Sequence, residues 1–232
     1  MNRLQRIRSL TRLHPWLTVV GVTALAVGLI ELVSIVSGAP THDFLLWNLF
    51  LAWIPLPLAA GAYAAQRLGF GLPVLVPLLV GWLLFFPNAP YIVTDLIHFG
   101  ELNRRIPAEL DLAILIVAAS AGLLVGFASL YVVQRVIGRR YGLAASRASV
   151  AAVLLLSSLG VYLGRVLRWN SWDAFTDPTG ILADVSTRLA HPFAFREAWL
   201  GIAIFAAFLL VTYASTLRLA IRPLSSVRRG SG

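Results

Sequence analysis

Six apolar stretches, separated by more polar segments, constrain the fold of this chain more than any other feature. About 20 apolar residues are needed to cross the roughly 30 Å hydrocarbon core of a bilayer, and these stretches are near that length. The stretches are Trp16–Val36, Phe44–Ala65, Gly71–Phe86, Leu112–Val133, Ser149–Leu163 and Ala198–Leu219. They predict an all-α fold, a polytopic integral membrane bundle of six transmembrane helices that is surrounded by the lipid bilayer.

The composition supports this interpretation, because 59% hydrophobic and 12% charged residues would leave a soluble domain covered in apolar surface. The first stretch follows a basic start, as a secretory signal does. It is long for such a signal and no convincing small-residue cleavage site follows, so we interpret it as a retained anchor. The third and fifth stretches are short, and we expect both to extend into the polar residues that follow them.

Charges are divided between alternate inter-helix segments. One set of segments holds thirteen of the 19 arginines and no Asp or Glu, whereas nine of the ten carboxylates lie in the other set. Since arginine-rich segments stay in the cytoplasm, both termini are predicted to be cytoplasmic. The expected organisation is a basic tail 1–15, a single six-helix domain 16–222 with outer-face loops 38–43, 87–111 and 164–197, and a flexible cytoplasmic tail 223–232.

Several function classes are disfavoured by composition. The pI of 11.2 does not indicate nucleic-acid binding, because the arginines are spread over the ends of several spans, where they are expected to attract anionic lipids. The chain has no cysteine and no lysine, which excludes thiol nucleophiles, Ser-Lys dyads and Schiff bases. It also contains no Walker loop, His-Glu-x-x-His or Gly-x-Ser-x-Gly motif.

The richest local signal is the run Phe-Pro-Asn-Ala-Pro-Tyr that begins at Phe86. Pro87 and Pro90 lack amide hydrogens, which predicts that the third span is broken there. The carbonyls of Leu83 and Phe86 would then need another donor, for which Asn88 is the nearest candidate.

A new helix starting at Pro90 would bring four polar side chains to one face, at positions i, i+3, i+4 and i+7. These side chains are Tyr91, Thr94, Asp95 and His98. Asp95 and His98 are candidates for proton transfer or for binding a metal ion, to which His191 is a further candidate ligand. The alternative is a kinked helix end whose polar face simply meets headgroups and water.

A second polar run lies at the outer end of the fifth span, where two arginines stand on the side that usually lacks them. If the helix continued, Arg165, Arg168, Trp169 and Trp172 would form one stripe. Such arginines can hold a phosphate or carboxylate. The candidate substrate-binding residues are therefore these four, Asp173, Asn88, and the polar face Tyr91, Thr94, Asp95 and His98. The alternative is an aromatic belt with snorkelling arginines paired to nearby acids.

These two runs carry a resemblance. Phe-Pro-Asn-Ala-Pro-Tyr-x-x-Thr-Asp-Leu and Gly-Arg-Val-Leu-Arg-Trp-Asn-Ser-Trp-Asp resemble an uncharacterised family of bacterial multi-pass membrane proteins, of the domain of unknown function 1361 type. The resemblance implies a bacterial cytoplasmic (inner) membrane protein. It implies no activity and carries over no catalytic residues.

Other polar positions give weaker signals. Glu31 lies within the first span and is expected to face the bundle, where it is either a proton or ion site or a helix-packing hydrogen bond. His42, in the turn that begins at Thr41, is expected to be solvated.

The longest outer loop contains the apolar repeat Ile181, Leu182, Val185 and Leu189, which predicts an amphipathic surface helix with an Asp184–Arg188 pair. Gly122-x-x-x-Gly126 and Gly160-x-x-x-Gly164 are expected to let the fourth and fifth helices approach closely.

Three classes of function fit these features. The first is binding or transport of an anionic or lipid-linked substrate through a polar Asp/His/Arg site on the outer face. The second is an outward-facing membrane enzyme, a hydrolase or transferase, acting on a lipid-linked substrate. The third is a membrane scaffold or assembly subunit. The sequence identifies no cofactor, no assignable metal and no oligomeric state.

Overall fold

The computed structural model describes residues 3–40, 42–100 and 106–221, and within these ranges the chain is helical and contains no strand. The helices are α1 (Arg3–Ser37), α2 (Asp43–Trp53), α3 (Pro55–Arg67), α4 (Leu72–Phe85), α5 (Asn88–Tyr91), a 3-10 helix (Ile92–His98), α6 (Ala108–Val166), α7 (Asp173–Thr176), α8 (Pro178–Ala190) and α9 (Arg196–Ile221). The predicted all-α class is confirmed. Predictions at Thr41, Glu101, Arg104, Arg105 and the tail 223–232 lie outside the described residues.

Five helical stretches in the described chain are long and apolar enough to cross a membrane. They are Trp16–Ser37, Asp43–Arg67, Leu72–His98, Ala108–Val166 and Arg196–Leu219. Helices α2 and α3 form one of these stretches because Ile54, which joins them, keeps helical dihedral angles of −55° and −41°. The third stretch continues through the proline motif to His98, so the expected extension of the third span is confirmed.

Helix α6 contains a reversal at Gly142, where φ is +86° and ψ is 177°. The Ser146 hydroxyl donates to the carbonyl of Gln134 at 3.1 Å, although twelve residues of straight helix would separate the two by about 18 Å. Only glycine adopts this φ readily, so Gly142 permits the two limbs, 108–141 and 143–166, to run antiparallel. The limbs correspond to the predicted fourth and fifth spans.

The core lies where both limbs of α6 contact the other helices. One apolar cluster joins the first limb to α1, α2 and α5, and a second joins both limbs to α4 and α9. Large apolar side chains also cover the outside of the bundle, among them Leu17, Ile35 and Val211. An apolar exterior of this kind fits a lipid environment, since a soluble protein rarely exposes large contiguous apolar patches.

The charged side chains collect at opposite ends of the bundle. At the carboxylate end, Asp95 contacts Asn48 of α2, Asp111 of α6 contacts His42 just before α2, and Asp184 contacts Arg188 within α8. At the arginine end, Arg135 and Arg139 lie beside the C-terminal part of α3. The segregation read from the sequence therefore corresponds to two separate regions of the fold.

Candidate functional site

The broken third span positions the candidate site at the carboxylate end. The Asn88 side-chain amide donates to the Phe85 carbonyl at 2.9 Å, and the Phe86 carbonyl accepts from the Ala89 amide at 3.1 Å. Asn88 therefore serves the carbonyl of Phe85, and the expectation that it serves Leu83 or Phe86 is wrong. For Phe86 the reason is a tightened turn at this point, because its carbonyl accepts from the amide three residues later rather than four.

Glycines of α6 hold this segment from two sides. A Cβ atom at Gly122 would lie 2.7 Å from the Ala89 carbonyl oxygen, and one at Gly126 would lie 2.7 Å from the Ala89 Cβ. On the second limb, a Cβ at Gly160 would lie 2.8 Å from Pro87 Cγ. Both glycine pairs therefore contact the proline segment, which lies between the two limbs, so the close approach is to this segment and not between the fourth and fifth helices as expected.

Arg165 joins the two polar runs in a single cluster. Its Nε donates to Thr94 Oγ1 at 2.9 Å, Nη2 donates to Asp95 Oδ1, and Nη1 lies 3.4 Å from His98 Nε2. The guanidinium carbon also lies 4.3 Å from the centre of the Tyr91 ring. Arg165 thus contacts all four side chains of the predicted face, although the helix begins at Asn88 rather than Pro90 and continues from Ile92 as a 3-10 helix.

Asp95 lies at the buried side of the cluster and is 1% exposed. Its second oxygen accepts from the Asn48 side chain of α2 at 2.8 Å. The sequence analysis did not identify Asn48 as part of the site. Its position as a polar residue inside the second apolar stretch could have indicated it. With both oxygens bonded to donors, the carboxylate is stabilised at a depth where an unpaired charge would be costly.

The fifth span does not continue as the sequence suggested. Helix α6 ends at Val166, and Arg168 has a φ of +63°, a left-handed conformation that turns the chain away. The predicted stripe of Arg168, Trp169 and Trp172 with Arg165 is therefore wrong. Arg168 and Trp172 are exposed, while the Trp169 indole donates to Asp184 Oδ2 at 2.8 Å.

Residues just after this turn fix the loop to the site. Ser171 Oγ lies 2.8 Å from the Asn88 side-chain nitrogen, which donates to it, so the second polar run is bonded directly to the first. Asp173 accepts from the backbone amide of Asn170 at 2.6 Å and begins α7. Asp173 thus stabilises a local turn, and no contact between it and Arg165 is observed.

A second buried polar pair lies beside this cluster. His42 is 0% exposed, and its Nε2 lies 2.7 Å from Asp111 Oδ1, while the Gly100 amide donates to the other oxygen of Asp111 at 2.9 Å. The expectation that His42 is solvated is wrong, because Asp111, 69 residues later, supplies a buried partner. Phe44, close to His42 in the chain, packs edge-on against His98, with the ring centres 5.6 Å apart.

Glu31 does not face the bundle. Its side chain is exposed on the outside of α1, whereas the neighbouring Ile30 and Val33 are buried in the core. The prediction that Glu31 faces the bundle is therefore wrong. The span is apolar on all sides, so no face of it is marked in the sequence as the one that packs inward.

Helix α8 covers one side of the carboxylate end and confirms the predicted surface helix. Arg188 forms the expected ion pair with Asp184 at 3.0 Å and also donates to the Tyr162 hydroxyl at 3.2 Å. The Trp169 indole, and then Arg188, hold the pKa of Asp184 below its ordinary value. His191, which follows α8, is exposed and makes no described contact with Asp95 or His98.

An open cleft of about 820 Å³ lies between the second limb of α6 and α9, beside the cluster. Arg165, Arg196 and Glu197 form its polar part, and Val161, Ile202 and Phe205 are among its apolar lining residues. The Arg165 side chain is 23% exposed, so a single guanidinium contacts both the buried Asp95 and the open cleft. Within the described residues, no group of three His, Cys, Asp or Glu side chains has the arrangement needed to hold a metal.

Fold and site together define a class of protein, namely a helical protein with span-length apolar helices and a buried Asp/Arg/His cluster at one end. Within that class, residues 47–212 match the family described as Protein of unknown function (DUF1361), and the chain belongs to this family. The match includes both polar runs, and it confirms the resemblance that was recognised in them. No curated protein and no solved structure matches the chain.

Proposed function

We propose that this protein binds an anionic, lipid-linked molecule in the cleft between the second limb of α6 and α9. The observation that carries the proposal is the position of Arg165, which is ion-paired to a buried aspartate and also lines an open cleft with apolar walls. Arg165 has five N–H donors and uses three on Thr94, Asp95 and His98. Donors remain for an anionic group in the cleft.

Arg196 gives this cleft a second cation. It is exposed at the start of α9 and forms no ion pair with any described carboxylate. Two guanidiniums that face one cleft suit a phosphate or carboxylate, since each can bind it through paired N–H donors. The apolar lining suits the hydrocarbon part of the same molecule, which would approach from the bilayer.

Binding, with or without transport, is favoured over catalysis by the state of Asp95. A general base must reach the proton that it removes, yet both oxygens of Asp95 are occupied and the residue is buried. Arg165 also lies where a cation bridging Asp95 and His98 would have to bind, which disfavours a metal there. The enzyme hypothesis therefore ranks second, and a scaffold role ranks third because it leaves the cleft without a use.

The membrane orientation is part of the proposal. We expect six spans in a bacterial inner membrane, with the two limbs of α6 crossing separately and the carboxylate end outside. A reporter enzyme that works only in the periplasm should be active when fused after Glu101 and silent when fused after Arg140. The reverse pattern would exclude an outward-facing site.

The binding proposal is tested with a label in the cleft. Because the chain has no cysteine, Ala194→Cys adds a unique thiol to the cleft lining for an environment-sensitive fluorophore. Titration of the purified full chain with a polyprenyl monophosphate should give a saturable signal, and phosphatidylcholine should not.

Arg196→Gln should lower the affinity for the polyprenyl monophosphate about tenfold, because it removes one charge-assisted contact of roughly 1.4 kcal/mol. The matched control is Arg218→Gln, which removes the same charge from the other end of α9 and should leave the response unchanged. An equal response to phosphatidylcholine, or indifference to Arg196→Gln, would contradict the proposal.

A further inference from the structure

The arginine end has a cavity of its own, independent of the site proposed above. It has a volume of about 430 Å³ and lies where the two limbs of α6 meet α9. Arg135, Arg139, Gln134 and Ser146 provide its polar lining, and Leu143 and Leu217 contribute apolar walls. The reversal at Gly142 brings Leu143 and Ser146 opposite the arginines, so the cavity depends on the hairpin.

The two arginines of this cavity have aromatic neighbours and no acidic ones. The guanidinium carbons of Arg139 and Arg135 lie 4.9 Å and 6.0 Å from the centre of the Tyr63 ring, and Arg135 is also 5.8 Å from the centre of Tyr131. The inter-helix segments at this end contain no Asp or Glu. Cation–π contacts hold the guanidiniums in place but leave their charge uncompensated.

Two like charges beside one ring repel each other, and an anion between them would remove that repulsion. Gln134 adds a neutral donor. Its side-chain carbonyl accepts from the Tyr213 hydroxyl at 2.6 Å, which fixes the amide, and its NH₂ group has no partner among the described residues. Positioned cations with a neutral donor form a typical phosphate site, in which arginine binds through several N–H groups.

We propose that this cavity binds the phosphate of an anionic phospholipid. The lipid is favoured over a free phosphate by the apolar walls and by the position of the cavity at the ends of the two limbs of α6 and of α9, where headgroups lie. One acyl chain would follow the exposed apolar side of α9. The bound lipid would thereby join the hairpin of α6 to α9.

The test measures lipid retained on the purified full chain by native mass spectrometry, after exchange into mixed phosphatidylglycerol and phosphatidylcholine micelles. We expect one phosphatidylglycerol to be retained. The double variant Arg135→Gln/Arg139→Gln should lower its affinity at least about tenfold. The matched control, Arg140→Gln/Arg147→Gln, removes the same charge from the same hairpin outside the cavity and should lower the affinity less than about twofold.

A second variant keeps both arginines. Leu143 is 62% exposed at the rim, so Leu143→Glu should leave the fold intact while its carboxylate competes for the guanidiniums. It should reduce retention as strongly as the double variant. Equal losses in the two double variants would overturn the proposal in favour of unspecific charge attraction, and displacement of the lipid by equimolar inorganic phosphate would overturn the assignment to a lipid.

Discussion

The two ends of the bundle differ in whether their charged side chains have partners of opposite charge. At the carboxylate end, the buried acids have partners inside the chain: Asp95 has Arg165, Asp111 has His42, and the more exposed Asp184 has Arg188. At the arginine end, the cations stack on tyrosines and have no acid to neutralise them. The acids Asp95, Asp111 and Asp184 are therefore neutralised by partners within the fold, whereas Arg135 and Arg139 have no counter-ion among the described residues. Breaking a pair should accordingly destabilise the first end far more than losing a cation destabilises the second.

The largest effect is expected at Arg165. Arg165→Leu leaves Asp95 buried without its cationic partner, and loss of one member of a buried pair costs about 3–5 kcal/mol of unfolding free energy. The measurement is reversible unfolding in mixed detergent micelles. The control is Arg168→Leu, three residues later and exposed, which should change stability by no more than about 0.5 kcal/mol.

The double variant Asp95→Asn/Arg165→Leu separates the contribution of the ion pair to stability from the contribution of side-chain packing. If the cost of Arg165→Leu is that of an unpaired buried charge, removal of that charge should recover part of the loss. Additive losses would show that Arg165 acts mainly by filling space. The comparison between the two ends would then lose its electrostatic basis.

A smaller loss is expected at the second buried pair. His42→Ala removes the side chain that contacts Asp111 and should cost about 1–3 kcal/mol, since the Gly100 amide still serves one carboxylate oxygen. His191→Ala is the matched control because His191 is exposed. Equal thermal shifts for the two variants would argue against a structural role for the His42–Asp111 contact.

Substitution at a glycine contact should lower the free energy of unfolding by a net amount of about 1 kcal/mol. Gly122→Ala places a Cβ 2.7 Å from the Ala89 carbonyl oxygen, and such overpacking costs about 1–3 kcal/mol, of which alanine's better helix propensity returns about 1. Gly201→Ala on α9 meets no atom within 4 Å and should be neutral or stabilising. A Gly122→Ala protein as stable as the parent would mean that the proline segment moves freely.

Which features of the fold and of the site could be predicted depends on how far apart in the sequence the interacting residues are. The face shared by Tyr91, Thr94, Asp95 and His98 follows from local helical spacing, and Arg165 stood out as an exception to the charge bias. Their contact did not follow, because nothing in the sequence sets the register between helices 70 residues apart. The burial of His42 depends in the same way on distant Asp111. The orientation of Glu31 failed for another reason, namely that a helix apolar on all sides has no preferred face.

The smallest effect concerns the exposed pair at the carboxylate end. Because the pKa of Asp184 is held below its ordinary value of 3.8, the folded state favours the ionised carboxylate. The resulting stabilisation is present above pH 3.8 and is lost as pH falls through the lower folded pKa. A nitroxide at Ser186→Cys, an exposed position of α8, should therefore become more mobile as the pH is lowered below 3.8. In Asp184→Asn the nitroxide should be mobile throughout, and a mobility change that persists in this variant would assign the acid transition to another group.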